Sequence, residues 1–166
     1  MQTRVEKAPL IRHDEYLIEP VARFEVEARV LGTERYRQGR EADLSPMDLA
    51  LGWGPMSDQS VLDKIRITQF RRFYYWQTDS MPIPRRDIVR HSSNMHLIPA
   101  NDEVRKHLLR VRDGEIVRFS GYLVNLRAPD GWRWSTSTSR TDTGNGACEL
   151  IWVEQLVSFP GPTAEG

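Results

Sequence analysis

The chain has 166 residues, with 23 Lys and Arg against 23 Asp and Glu, so its formal net charge with neutral histidines is zero. A length within the range of one domain, ~100–200 residues, predicts a single compact unit, and five each of Trp, Tyr and Phe are too many for a disordered chain. Cys148 alone can form neither an internal disulfide nor a paired-cysteine zinc or redox site, no run approaches the ~18–20 apolar residues of a membrane helix, and the neutral balance argues against a surface that is a polyanion footprint throughout.

Residues 1–20 lack periodicity and end at Pro20, which predicts a flexible N-terminal arm. Phe24, Val26, Ala28 and Val30 then alternate with Glu25, Glu27 and Arg29, the period-two pattern of a half-buried strand over residues 21–34. Ser45 reads as an N-cap with Pro46 at the first helical position and Met47, Leu49, Ala50 and Leu51 following, a helix stopped by Gly52-Trp53-Gly54-Pro55. Ser57 or Asp58 can cap a second short helix over Val61, Leu62 and Ile65. Residues 67–77 are rich in β-formers and free of Gly and Pro, predicting one strand that Met81-Pro82-Ile83-Pro84 breaks.

A helical turn is expected over residues 85–90 and an extended piece over 94–98. Asn101 caps the best-patterned helix, with Asp102 and Glu103 in its first turn and Val104, Leu108 and Val111 on one face. Beyond Gly114 the reading is β. A strand over residues 116–124 turns at Ala128-Pro129-Asp130-Gly131 into 132–139, and 147–159 is a strand buried on much of both sides. The final residues, 160–166, are expected to fray. These elements predict one mainly β (β-rich α+β) domain over residues 21–159, a small, partly closed OB-like barrel of five or six strands with two or three short helices. Gly114, Val117, Gly121 and Leu123 follow the spacing of a strand coiled for such a barrel.

Charge divides the chain into three blocks. Residues 1–63 carry 8 basic and 12 acidic side chains, 64–112 carry 11 and 4, and 113–166 carry 4 and 7. The basic middle interleaves Arg66, Arg71, Arg72, Arg85, Arg86 and Arg90 with Phe70, Phe73, Tyr74, Tyr75 and Trp76. Either these arginines pair with the acidic N-terminal block, or they form an outward face for an anion or a single-stranded nucleic acid, where Arg neutralises phosphate and aromatics stack bases.

Residues 91–101 form the densest polar segment, and an extended chain puts Asn94 and His96 on one face. His91 and His96 stand five apart, which suits neither the helical nor the strand spacing of a two-histidine metal pair, so no metal is expected, and no cofactor. Cys148, with His96 or His91 as base and Asp142 or Glu149 as orienter, is a candidate nucleophile, although an apolar strand start does not stabilise a thiolate. Ser139–Gly146 lacks the ending of a phosphate loop and reads as a turn with Asp142 bonding its own backbone. Trp53 and Asp58 read first as parts of a helix stop, with a ligand-facing role as the alternative.

The strings DLALGWGPMSD (48–58), RFYYW (72–76), SSNMHLIPAN (92–101), DGEIVRFSGYLV (113–124) and TDTGNGACELIWVE (141–154) together resemble a family of uncharacterised bacterial proteins of unknown function, often described as membrane-associated. The resemblance runs from about Phe24 to Leu156 and brings no mechanism. It implies a membrane-anchored extracytoplasmic domain as the alternative to a soluble, cytoplasmic protein. The expected function is a non-enzymatic binding module for a protein or an anionic ligand, using the basic aromatic face and the 91–101 loop, with Trp53, Asp58, Arg72, Tyr74, Trp76, His91, Asn94 and His96 as candidates. The alternatives are a hydrolase using Cys148 or His96, and single-stranded nucleic-acid binding.

Overall fold

The computed structural model describes residues 2–4 by their backbone, 9–137 and 148–162. In chain order the elements are β1 (Gln2–Arg4), β2 (Ile11–His13), β3 (Tyr16–Arg35), α1 (Arg40–Leu44), β4 (Met47–Gly52), a 3-10 turn (Gly54–Ser57), α2 (Gln59–Leu62), β5 (Arg66–Phe70), β6 (Phe73–Gln77), α3 (Arg85–Arg90), β7 (Ser92–Pro99), α4 (Asp102–Leu109), β8 (Ile116–Arg127), β9 (Arg133–Ser135) and β10 (Glu149–Phe159). β3 is long enough to pair twice, with β4 through Arg29–Arg35 and with β8 through Leu17–Arg29. Its two partners continue through β7 and β10, so five strands run in a ring, β3-β4-β7-β10-β8 and back to β3. Numbered along the chain, that order is 1-2-3-5-4-1, and the β7–β10 pair is parallel while the others are antiparallel. The β-rich, partly closed barrel expected from the strand pattern is the architecture found.

The ring encloses Phe24, Val26, Leu49, Leu51, Met95, Leu97, Phe119 and Ile151, and α4 adds Val104 and Leu108 to the same core. Register shifts between Pro20 and Ala22 and between Val30 and Gly32 bend the 20-residue β3 around it. Gly121 is obligatory where β8 meets β10, because a Cβ there would lie 1.8 Å from the Trp152 carbonyl oxygen.

Four expectations change. Ser45-Pro46 opens a strand, since the helix ends at Leu44 and all six residues of β4 are buried. As a strand, Met47, Leu49 and Leu51 all face the core, where each fully buried apolar side chain stabilises by roughly 1.5–3 kcal/mol, far above the tenths that helix propensity offers. The segment read as one strand over residues 67–77 is a hairpin, β5 and β6, turning at Arg71-Arg72. The expected N-terminal arm belongs to the sheet at both ends, with β1 pairing with β3 at Ala22–Phe24 and with Ile18 and Tyr16 buried in a second apolar cluster beside Leu126 and Trp152. Residues 160–162 are tied down rather than frayed, as the Pro162 carbonyl accepts from Arg29 Nη2 at 3.2 Å. The α2, α3 and α4 segments stand where the sequence puts them, with Asp58 and Asn101 as side-chain caps of α2 and α4.

Candidate functional site

β4 and β7 pair with Asp48 opposite His96 and Ala50 opposite Asn94. Their core-facing neighbours Leu49, Met95 and Leu97 are apolar, so period two puts Asp48, Asn94 and His96 on the outer face of the ring. That face is not open to solvent. The β5–β6 hairpin lies over it, seated by a turn in which Arg71 (φ 50°) and Arg72 (φ 73°) both occupy the left-handed region. A two-residue hairpin turn demands this conformation and usually recruits Asn or Gly; for two arginines it costs about 1–2 kcal/mol each.

Arg72 supplies the compensation. Its Nη1 donates to Asp48 Oδ1 at 2.6 Å and its Nη2 to the Ser45 carbonyl at 2.9 Å. The Arg72 backbone N–H donates to the Tyr36 hydroxyl at 2.7 Å, and the guanidinium stacks 3.8 Å from the Tyr36 ring centre and 5.4 Å from that of Trp134. Asn94 Nδ2 reaches the Arg72 carbonyl at 2.9 Å and Asp48 Oδ2 at 3.2 Å, while its Oδ1 accepts from Gln69 Nε2 at 2.9 Å. Gly32 makes room for that glutamine, since a Cβ at residue 32 would lie 2.6 Å from Gln69 Oε1. The Tyr74 hydroxyl and Ser92 Oγ share a 2.8 Å hydrogen bond, and burial pushes the Tyr74 phenol above its ordinary value. His96 Nδ1 stands 2.9 Å from Asp48 Oδ1 but off the N–H direction, so it is close without an aligned hydrogen bond. The His96 ring also packs on Trp134 with centres 5.4 Å apart.

Cys148 Sγ approaches the Arg72 carbonyl at 3.8 Å. Burial first, then the charges of Glu149 and Asp48, push its thiol up to about 12, so it is a neutral side chain near neutral pH and a poor nucleophile. Glu149 turns the other way and takes a short hydrogen bond from Ser93 Oγ. Asp142 lies outside the described residues.

The other side of the hairpin is different. Burial alternates along both strands, leaving Arg66, Thr68, Phe70, Tyr75 and Gln77 outward with Arg71 at the tip. Phe70 is 58% exposed and Tyr75 52%, among the most exposed large hydrophobics of the described residues. Among the described residues β6 pairs with β5 alone. Because Phe70 and Phe73 flank a two-residue turn, the backbone groups of Tyr74 and Trp76 point away from β5, toward a free edge. Along that strand residues 74–78, Met81 and Arg85 line a groove of ≈ 630 Å³, with Arg85 5.5 Å from the Trp76 ring centre. Among the described residues Arg72 is the one member of the basic island within an ion pair, bonding Asp48 and standing 4.0 Å from Glu41. Internal pairing therefore describes Arg72 and not its neighbours.

The candidates thus separate. Arg72, Tyr74, Asn94, His96 and Cys148 come together at the seat of the hairpin, whereas most of the 91–101 loop expected to meet a ligand is β7, residues 92–99, buried throughout and longer than the extended piece expected over 94–98. Trp76 is half-buried against the apolar cluster of Met56 and Ile88. Trp53 packs against the main core, and Asp58 accepts from Ser60 N–H and Oγ, which lowers its carboxyl. His91 Nδ1 meets the Asp87 carbonyl at 2.7 Å. Asp48, Tyr36 and Trp134 carry no reading in the sequence analysis, and Ser45 only that of a helix cap. For Asp48 the available signal is a lone charge inside the alternation Met47, Leu49, Leu51. No family model, curated protein or solved structure matches the chain.

Proposed function

We propose that the protein is a non-enzymatic binding module that holds an anionic ligand on the outward face and free edge of the β5–β6 hairpin. The observation that carries this reading is the alternation along the hairpin, which leaves Arg66, Phe70, Arg71 and Tyr75 outward, the arginines outside any ion pair of the described residues. The ring order and the helix between its third and fourth strands support an OB-like reading of the barrel. In such barrels the outer face of the second and third strands takes the ligand. Here those strands are β4 and β7, and the chain's own hairpin covers them. Recognition then passes outward to the covering element. A hydrolase acting through Cys148 or His96 has less support, because the thiol is held neutral and the His96 side chain is 7% exposed.

The test is fluorescence anisotropy with two labelled probes, a glutamate-rich peptide of about 12 residues containing tyrosine and an oligothymidylate of about 12 nucleotides, each at about 50 and 200 mM salt. Binding of either probe that falls at least about tenfold in Arg71→Glu and Tyr75→Ser, with circular dichroism unchanged, supports the reading. A preference for the oligothymidylate with a steep salt slope selects single-stranded nucleic acid as the ligand. Failure of both probes to bind, or equal binding by the variants, overturns it.

A further inference from the structure

At the α4 end of the ring, β3 finishes with Arg35 directly across from Met47. Met47 in turn pairs with Leu97 near the end of β7, and α4 begins just beyond that strand at Asp102, so the chain brings Arg105 to the end of the ring where Arg35 and Arg37 stand. The Arg35 Nη1 atom is buried and donates to no acceptor. Among the described residues no carboxylate forms an ion pair with Arg35, Arg37 or Arg105. The nearest acidic residues in sequence do not supply one: Glu34 pairs across to Asp48 and alternates to the opposite face from Arg35, and Asp102 and Glu103 are exposed in the first turn of α4. Burial holds the Arg35 guanidinium below its ordinary value, and the charges of Arg37 and Arg105 add repulsion. A buried donor left unmet among like charges is unfavourable. An oxyanion removes both defects, since a guanidinium presents a planar fork of N–H donors matched to phosphate oxygens.

We propose that Arg35, Arg37 and Arg105 form a binding site for a phosphate group, separate from the hairpin face. The site does not depend on the reading of the hairpin. Its ligand is either free inorganic phosphate or the phosphoryl group of a nucleotide.

Thermal unfolding at matched ionic strength tests it, comparing chloride with inorganic phosphate and with adenosine monophosphate. The wild-type Tm rises with phosphate over chloride, saturably, and the apparent affinity falls at least about tenfold in Arg105→Met and Arg35→Met. Without phosphate, Arg105→Met melts no lower than wild type because a repulsion is removed, so it carries the test even where Arg35→Met fails to fold. A nucleotide binding more than about tenfold tighter than inorganic phosphate assigns the phosphoryl group to a nucleotide, and equal affinity assigns it to free phosphate. A Tm that does not distinguish phosphate from chloride, or a phosphate shift retained in Arg105→Met, overturns the proposal.

Discussion

Arg71 and Arg72 are adjacent, chemically identical and held in the same left-handed backbone region, yet they serve opposite sides of one hairpin. Arg72 points in, where Asp48, Ser45, Tyr36, Asn94 and Trp134 engage its side chain or backbone. Arg71 points out and rests on Phe70 with 5.0 Å between guanidinium and ring centre. The basic island is therefore not one feature. One of its arginines is spent on assembly, replacing the solvent that a fully buried Asp48 would otherwise need, while its neighbours on the hairpin remain displayed.

The largest expected effect is at Arg72. Arg72→Met leaves the Asp48 carboxylate buried without its cation and lowers stability by about 3–5 kcal/mol in urea unfolding. Adding Asp48→Asn to that variant recovers much of the loss, and simple additivity in the double-mutant cycle would show that the two groups are not coupled. The same seat governs Cys148. With its thiol up at about 12 against the usual ~8.5, native protein reacts with iodoacetamide near pH 8 roughly a thousandfold more slowly than an ordinary thiol, and Arg72→Met speeds the reaction by unseating the hairpin. The sign of the linked stability follows. A thiol raised on folding contributes fully below ~8.5 and loses that contribution as pH climbs toward about 12, so Cys148→Ala flattens the alkaline decline of stability.

Tyr74→Phe loses the hydrogen bond to Ser92 and about 1 kcal/mol. Arg71→Gly, read by thermal unfolding, leaves stability unchanged or raises it by up to about 1 kcal/mol because glycine accepts φ 50° without strain. Arg72→Gly gains the same backbone relief and still destabilises, since it loses the side-chain contacts. Arg71→Glu and Tyr75→Ser stay within about 0.5 kcal/mol of wild type, their effect appearing in anion binding alone.

The ring strands built from uninterrupted alternation were legible, as β3 and β8 illustrate, because a strand with one apolar face needs no distant information to reveal itself. Two segments misled for a local reason. Ser45-Pro46 has the chemistry of a helix start, and the Arg71-Arg72 turn lacks the Gly or Asn that marks a hairpin. In each, contacts far along the chain outweighed propensity. β4 found partners on both sides, and the turn found an Asp48–Asn94–Tyr36 cradle. The same blindness hid Asp48, since its role depends on a residue 24 positions away.

Composition and periodicity alone therefore determined a single β-rich barrel with a basic, aromatic middle, because burial of alternating apolar residues is a local pattern summed along the chain. Which arginine faces inward, and that His96 and Asn94 lie sealed beneath a hairpin, follows from contacts between strands far apart in the chain. Charge carries no direction in sequence; it acquires one when a buried carboxylate on a neighbouring strand selects a single partner and leaves the rest to solvent.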